Sequence, residues 1–359
     1  MPLTLLLFFA LCAPARTAAP LRTAVDPATL ALAAGGHEKL LRNGFLRLPG
    51  VLPPEAARAW SAVATGAVAS RAATCAARGA SPAAPCEPSP PPGERASFAR
   101  ARALAPLAPL THAAHALSLA HLVAAAMNVS ALRLYSASVF LKRPGDGVSL
   151  WHQDAAAMPL RTDKIATLWL ALDDVPAEAG PLQFVRGSHL PGVRLPSLRD
   201  VPPRERAGAA RLTASAGEVE RDTGLRATPA RAMAAGDATL HLGWTLHGAA
   251  GNAAGRDRVG LAITFFEDGA RVDPNLLERV APGEVAPPSQ GVRFRGEDGG
   301  ELIVHLLADD RDTWEPWLHA RPPLLMPGAP ARHAELTPLL FRANESAATP
   351  GRGRRRREL

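Results

Sequence analysis

The tetrapeptide Trp151-His152-Gln153-Asp154 contains the only His-x-Asp in the sequence. On an extended strand, the side chains at positions i and i+2 lie on the same face. His152 and Asp154 can therefore present an imidazole nitrogen and a carboxylate oxygen to one point. This pair suits a divalent first-row metal, and one more histidine would complete the two-His-one-carboxylate set of non-heme Fe(II) oxygenases. The alternative is a strand-end histidine beside a turn-forming aspartate, with no metal.

The third ligand must come from the histidines downstream, of which His247 has the most informative setting. It follows Gly236-Asp237 and an apolar segment, and Arg258 opens the next strand-like run. A polar turn between the two segments predicts a hairpin-like return that would bring Arg258 beside His247. The guanidinium group of arginine is a rigid donor fork that matches a carboxylate. A buried core histidine is the alternative for His247 by itself, and His241 is the alternative distal ligand.

Together these motifs resemble those of the phytanoyl-CoA dioxygenase family. The resemblance covers about 131–266, with a weaker N-terminal part at 44–52. At the end of one motif, Arg186 stands where the family more often has proline, and this departure leaves the ligand set intact. The matching segments are 140–145, 151–154, 167–174, 180–189, 236–237, 247–248 and Arg258.

The resemblance implies a mainly β fold, namely a double-stranded β-helix core (a cupin-like jelly roll) with N-terminal helices packed on it. It also implies an Fe(II)- and 2-oxoglutarate-dependent dioxygenase that hydroxylates an organic substrate and releases succinate and CO2. By this likeness, His152, Asp154 and His247 would bind iron. Arg258 would bind the distal carboxylate of 2-oxoglutarate. The other residues expected in the cosubstrate pocket are Lys142, Gln153 and Trp169.

Two other functional classes stay open. One is a non-catalytic jelly roll that binds a metal or another ligand, because a fold does not determine a function. The complete ligand set argues against it. The other is a redox-inactive metal enzyme of the cupin type, such as an isomerase. An isomerase has no need of a group that holds 2-oxoglutarate, so Arg258 argues against this class.

Region 20–130 is predicted to be helical, with a loop rich in proline at 79–95. One helix is predicted over 53–73, where Pro53-Pro54-Glu55 is a good helix start. A second is predicted over 111–127. It carries three histidines without a carboxylate partner at ligand spacing, which are expected at the surface or between helices. These are His112, His115 and His121.

The pattern changes to strands at residue 131, and the oxygenase core is expected over 131–310. Alternation along the first strand predicts one shared face for a set that includes Lys142, a candidate anion clamp. The whole set is Leu132, Leu134, Ser136, Ser138, Phe140 and Lys142. Further strands are predicted at 164–173, 237–242 and 257–266, and a hairpin at 292–306.

Three segments lack a clear strand or helix pattern. Residues 191–235 are rich in Arg, Pro and Ala, and we expect an insertion over the mouth of the barrel, because structureless stretches of that length are usually functional or disordered. Residues 311–342 are expected to be an appended segment. Residues 343–359 are expected to be a disordered basic tail.

The charge balance gives no strong reason to propose a nucleic-acid partner. The net charge is +7, but the five arginines and single glutamate within 350–359 account for +4 of it. We therefore expect a monomer that acts on a small-molecule or lipid-like substrate. No stretch reaches the length of a membrane span without a charge or a proline.

The N-terminus indicates the secretory pathway. An apolar run at 3–12 and small residues up to Ala19 predict a signal peptide over 1–19. A transit peptide to an organelle is the alternative. Three further features agree with the secretory route: two acceptor triplets for glycosylation, two cysteines that could form one disulfide or stay free, and a C-terminus that faintly resembles an ER-retention signal. They are Asn128-Val129-Ser130, Asn344-Glu345-Ser346, Cys75 with Cys86, and 356–359.

Overall fold

A computed structural model of the chain describes residues 25–78, 99–101, 114–158, 160–191, 215–272, 277–280, 282, 292–295, 301–304 and 339–342. Most helices in these ranges precede the β core. The first one begins at a capped position, since Oδ1 of Asp26 accepts hydrogen bonds from the backbone N–H groups of Ala28 (2.7 Å) and Thr29 (3.1 Å). The helices are α1 (Pro27–Gly35), α2 (His37–Asn43), α3 (Pro54–Arg78), α4 (Ala114–Met127), α5 (Asp154–Ala157) and α6 (Ala216–Thr223).

The strands fall mainly between residues 131 and 267. They are β1 (Phe45–Leu48), β2 (Ala99–Ala101), β3 (Ala131–Lys142), β4 (Ser149–His152), β5 (Leu160–Arg161), β6 (Ile165–Ala171), β7 (Leu182–Phe184), β8 (Ala238–Leu242), β9 (His247–Ala249), β10 (Arg258–Glu267), β11 (Arg271–Val272), β12 (Leu277–Val280), β13 (Val292–Arg295), β14 (Glu301–Val304) and β15 (Leu339–Arg342). The strands expected at 164–173, 237–242 and 257–266 are present. β13 and β14 form the expected pairing at 292–306.

Two antiparallel sheets build the barrel, and this confirms the jelly-roll expectation. The major sheet has the order β1-β8-β6-β10-β3-β15, with β2 also paired to β3. The minor sheet has the order β4-β9-β7. Phe45 of the major sheet stacks on Phe184 of the minor sheet, with ring centroids 4.5 Å apart. This contact joins the two sheets across the interior.

The central strands of the major sheet, β6, β8 and β10, each have two buried faces. On β6, β8 and β10, one face carries Leu168, Leu240 and Leu261, which belong to the same apolar cluster as Trp60 and Leu122 of the helices. The other face points into the barrel. There an inner cluster brings together residues from both sheets and from the segment before β8: Phe45, Trp169, Ala171, Val175, Ala179, Leu182, Phe184, Met233, Ala249 and Ala262.

The side chains of β3 do not alternate over its whole length as expected, because the strand contains a β-bulge. The register between β3 and β10 shifts between Thr264 and Phe265, which lie opposite Ser136 and Leu134. Because the extra residue of a bulge reverses the alternation beyond it, Leu134 lies in the helix-side cluster together with Leu132. Lys142 and the residues near it keep the predicted face.

The predicted return from His247 to Arg258 is not a hairpin. β9 pairs with β4 and β7 in the minor sheet, whereas β10 pairs with β3 and β6 in the major sheet. The two residues therefore belong to opposite walls of the barrel. Each reaches the interior from its own sheet.

The segment 191–235, expected to be irregular, contains the helix α6 in its second half. Ser215 caps this helix by accepting a hydrogen bond from the backbone N–H of Glu218, and Gly224 ends it in a left-handed conformation (φ 68°). Val219 of α6 packs with Trp151 of the minor sheet. The expectation failed here because eight residues with one buried apolar side chain carry little periodic signal.

Several predictions lie outside the described residues. They are the signal peptide at 1–19, the Pro-rich loop 79–95, the Cys75–Cys86 disulfide, most of the appended segment and the tail 343–359. The end of the appended segment is described as β15, which joins the edge of the major sheet beside β3. Within the described ranges, no helix is long and apolar enough to cross a membrane.

Candidate metal centre

His152, Asp154 and His247 converge at one point of the barrel, as the sequence predicts. His152 ends β4 and lies directly opposite His247 on β9. Gln153 is still extended, and Asp154 is the first residue of α5. From Oδ1 of Asp154, the Nε2 atom of His152 lies 3.5 Å away and that of His247 lies 3.7 Å away. One ligand atom from each residue lies within 4.8 Å of the others, which is a spacing that could hold a metal ion.

Backbone carbonyls fix the orientation of both imidazoles. Nδ1 of His152 lies 2.7 Å from the carbonyl oxygen of Leu150, and Nδ1 of His247 lies 2.9 Å from that of Thr245. Because a carbonyl can only accept, Nδ1 must carry the proton in each ring. The lone pair that a metal would take is then on Nε2, and Nε2 faces Asp154 in both residues. Metal-binding histidines in proteins are commonly held this way.

The second carboxylate oxygen of Asp154 contacts two further residues. Oδ2 accepts a hydrogen bond from the hydroxyl of Thr167 (2.7 Å) and lies 3.3 Å from Nε2 of His241. These two residues point into the barrel from the neighbouring strands β6 and β8, where they lie opposite each other. The carboxylate is thereby held with Oδ1 facing His152 and His247. No sequence motif predicts a role for Thr167, and the sequence predicts His241 only as an alternative distal ligand.

The surroundings of Asp154 and His247 favour the protonation states in which these two residues can bind a metal. Burial by itself would raise the pKa of Asp154, but the imidazoles of His247, His152 and His241 hold it well below the usual range. Burial lowers the pKa of His247 far below its ordinary value, and the nearby His152 and His241 lower it further. An ionised carboxylate beside a neutral imidazole is the donor set that a divalent metal takes.

Lys142 and Arg258 form a pair of buried cations in the same barrel. They lie opposite each other on β3 and β10. Nζ of Lys142 donates to the carbonyl of Ala250 (2.5 Å), and Nη1 of Arg258 donates to that of Gly180 (2.7 Å). The guanidinium carbon of Arg258 lies 5.2 Å from the ring centroid of Trp169. Three of the four residues predicted for the cosubstrate pocket are thus adjacent.

These cations fit the distal carboxylate of 2-oxoglutarate. Neither forms an ion pair with a described acidic residue, and Nε of Arg258 is buried without a hydrogen-bond partner. Burial and the neighbouring charge of Arg258 lower the pKa of Lys142 to about 7, although Asp146 opposes them. Burial lowers the pKa of Arg258 to about 10. Two buried, unneutralised cations are costly, and an anionic ligand removes that cost.

The side chain of Gln153 contacts backbone carbonyls. Its amide Nε2 donates to the carbonyl of Trp244 (2.7 Å) and lies 3.4 Å from that of Ser188. The side chain therefore braces the loop between β8 and β9, and its place in the cosubstrate pocket stays a prediction. It supports the position of the metal ligand that follows this loop.

Comparisons with known proteins agree with this geometry. A family model described as phytanoyl-CoA dioxygenase (PhyH) matches residues 40–260, more than half of the chain. The chain belongs to the phytanoyl-CoA dioxygenase family. The resemblance inferred from the sequence is thereby confirmed, and the matched range contains all three candidate metal ligands and Arg258. A search of curated proteins finds no match to the sequence.

Solved structures with a similar fold include two enzymes from nogalamycin biosynthesis. The non-heme alpha-ketoglutarate-dependent carbocyclase SnoK is 18% identical and covers 85% of this chain and 95% of its own, with a TM-score of 0.52. The corresponding epimerase SnoN is 23% identical and covers 76% of this chain and 98% of its own, with a TM-score of 0.49. EvdO2 from Micromonospora carbonacea var. aurantiaca, solved with 2-oxoglutarate, is 21% identical and covers 66% and 91%, with a TM-score of 0.46. The SnoK match supports the jelly-roll fold.

Proposed function

We propose that the protein is an Fe(II)- and 2-oxoglutarate-dependent dioxygenase that hydroxylates a C–H bond of a small organic substrate. One observation carries this proposal: a His-Asp-His cluster and a pair of unneutralised cations share one barrel interior. When bound, Fe(II) with 2-oxoglutarate and O2 supplies oxidative decarboxylation to succinate and CO2. One oxygen atom of O2 goes to succinate and the other to the substrate, whose C–H becomes C–OH.

The residues of the chain contribute binding, orientation and exclusion of water. His152, Asp154 and His247 would hold the iron from one side, which leaves the other side for the cosubstrate and O2. Arg258 and Lys142 would hold the distal carboxylate and so fix the orientation of 2-oxoglutarate. Both cations are already desolvated, so little reorganisation is needed when the anion binds. The ring centroids of Phe184 and His247 lie 6.3 Å apart. Phe184 therefore keeps that side of the metal centre apolar.

The same residues weigh against the two alternative classes. A redox-inactive cupin-type enzyme needs the metal ligands but not Arg258 and Lys142. A non-catalytic jelly roll that binds a metal or another ligand needs one of the two sets, but not both in one barrel interior. The presence of the cation pair beside the metal ligands is therefore the feature that separates the proposed function from the alternatives.

Succinate formation tests the proposal directly. Purified protein loaded with Fe(II) is incubated with 2-oxoglutarate and O2, first without substrate and then with pools of small molecules. Succinate is measured by NMR and products by mass spectrometry. We expect slow succinate release without substrate, faster release with the right pool, and a product heavier by one oxygen atom. The Arg258→Met variant is the matched control. A product that forms without succinate would instead support the redox-inactive alternative.

We further propose that the mature protein follows the secretory pathway. The apolar N-terminal run supports this proposal, and so does the acceptor residue Asn128, which is exposed directly after α4. Intact-mass and peptide analysis of protein expressed through a secretory route tests it. We expect cleavage near Ala19, a glycan on Asn128 and a Cys75–Cys86 disulfide. A retained first residue would favour the transit-peptide alternative or a different location.

A further inference from the structure

Arg47 is a charged residue on the interior face of the barrel that the proposed reaction does not use. Along β1, Leu46 and Leu48 belong to the helix-side cluster, whereas Phe45 belongs to the inner cluster with Trp169 and Phe184. Because side chains alternate along a strand, Arg47 shares the inner face with Phe45. The side chain is half-buried there.

Two polar atoms without partners belong to residues that face each other at this position. Arg47 is directly opposite Thr239 on β8, and Thr239 is opposite Trp169 on β6. Nη2 of Arg47 and Oγ1 of Thr239 are both buried and have no hydrogen-bond partner. A buried polar group without a partner costs about 1–3 kcal/mol. Both groups can donate a hydrogen bond, so a shared acceptor would satisfy them together.

The local charge specifies what kind of acceptor is missing. Arg47 forms no ion pair with a described acidic residue. The charged group that acts on it is Arg231, also a cation, and burial together with this neighbour lowers the pKa of Arg47. A guanidinium group matches carboxylate and phosphate oxygens with two parallel hydrogen bonds. An oxyanion is therefore the ligand that satisfies both the hydrogen-bonding groups and the charge.

The position is separate from the cosubstrate cations but close to the metal centre. Arg258 and Lys142 lie on β10 and β3, on the other side of Trp169 from Thr239. The pair next to Arg47 and Thr239 on the same strands is Phe45 and His241, and His241 contacts Asp154. Residues two apart on a strand are separated by roughly 7 Å. An anion at Arg47 thus places the rest of a small molecule within reach of the metal ligands.

We propose that Arg47 and Thr239 form an oxyanion subsite for the substrate, so that the substrate carries a carboxylate or a phosphate group. This inference rests on the proposed function, because it names the substrate class for that reaction. Arg231, which is exposed, adds a second positive charge close enough to act on Arg47. The subsite selects the substrate by its anionic group and orients its C–H bond towards the metal centre.

Anion binding to the loaded protein tests the proposal. The protein is loaded with Mn(II), freed of excess metal and saturated with 2-oxoglutarate, so that Arg258 and Lys142 are occupied. Methylphosphonate and acetate are then titrated separately by calorimetry, with the neutral acetamide as a third ligand. We expect one of the two anions to bind, which assigns phosphate or carboxylate, and acetamide not to bind.

Variants separate this subsite from general charge effects. We expect Arg47→Met to weaken anion binding at least tenfold, and Thr239→Val to weaken it about threefold. Arg226→Met is the control, because it removes the same charge from a side chain that is 91% exposed, and we expect no change. Retained binding of Mn(II) and 2-oxoglutarate by Arg47→Met shows that the variant is folded and that the metal centre is intact.

Two results would overturn the proposal. One is equal anion binding by the wild-type and Arg47→Met proteins. The other is wild-type protein that binds Mn(II) and 2-oxoglutarate but neither anion. Failure of the proposed function has a different signature, since the iron-loaded wild-type protein would then release no succinate from 2-oxoglutarate, whether or not it binds an anion.

Discussion

Lys142 and Arg258 lie directly opposite each other on two paired strands, and both side chains are buried. Burial and the charge of Arg258 lower the pKa of Lys142 to about 7, so Lys142 is only partly protonated at neutral pH. A bound carboxylate favours the protonated form. Binding of 2-oxoglutarate should therefore be coupled to uptake of a proton.

The first prediction concerns the pH dependence of 2-oxoglutarate binding. Above pH 7, each molecule of 2-oxoglutarate that binds must bring a proton to Lys142, so the affinity should fall by up to about tenfold per pH unit. Calorimetry in buffers of different ionisation enthalpy measures the proton uptake. Lys142→Met should bind more weakly and lose the dependence. A flat affinity from pH 6 to 9 in the wild-type protein would remove Lys142 from the pocket.

The same shift makes a second, independent prediction for the stability of the ligand-free protein. The folded-state pKa of Lys142, about 7, lies below the unfolded value near 10.4. Between these values the unfolded chain binds more protons, so the contribution of Lys142 to the free energy of unfolding increases with pH. Urea titrations at pH 7 and pH 9 should show this gain in wild type and not in Lys142→Met. An equal change in both proteins would assign the pH effect to other groups.

The third prediction separates the cosubstrate from the metal. Arg258→Met leaves the distal carboxylate without its main partner, which typically costs about 3–5 kcal/mol for a buried pair. The KM for 2-oxoglutarate should increase by about two to four orders of magnitude, while the iron content stays the same. Arg256→Met, two residues away and exposed, should leave both quantities unchanged. Unaltered 2-oxoglutarate affinity in the Arg258 variant would contradict the assigned role.

Sequence patterns were sufficient for the residues that act through fixed local spacing. His152 and Asp154 are two positions apart, and the residue between them is extended, so their convergence follows from the chain itself. Thr167 and His241 could not be assigned in the same way. Their contact with Asp154 depends on how β6 aligns with β8 and on where the two sheets meet. Neither relationship is encoded within one segment.

The error in the predicted path of the chain has the same origin. Arg258 was expected to return beside His247 by a hairpin, but the intervening residues carry the chain from one sheet to the other. Gln153 was expected in the cosubstrate pocket by the family likeness, and this stays a prediction. Its contact with the backbone of the β8–β9 loop could not be predicted, because it depends on where that loop lies in the folded barrel.

The fourth prediction tests the contact between His241 and Asp154. His241→Leu removes a group that holds Oδ2 of the carboxylate, and changes of this kind typically weaken metal binding about 10–100-fold. His247→Ala should abolish stoichiometric binding, because it removes a ligand. Mn(II) affinity measured by equilibrium dialysis distinguishes the two effects, and His121→Ala on the surface of α4 is the control. The reverse result, with metal lost in His241→Leu and kept in His247→Ala, would make His241 the distal ligand.

The last prediction concerns the type of reaction. An oxygenase that keeps a carboxylate on its metal has no vacant ligand position for a halide. Asp154 supplies this carboxylate, and Thr167 and His241 hold its second oxygen, so the side chain is not free to swing away. Turnover of a confirmed substrate in excess chloride or bromide should therefore give hydroxylated or desaturated product without halogen, as judged by mass spectrometry.

Asp154→Ala should lose most activity, since two imidazoles alone would hold the metal. Asp154→Glu is the matched control: it keeps the charge, but its longer side chain loses the bond to Thr167, so it should retain more metal than Asp154→Ala. Halogenated product from the unmutated protein, or a normal hydroxylation rate in Asp154→Ala, would show that this carboxylate is not a ligand.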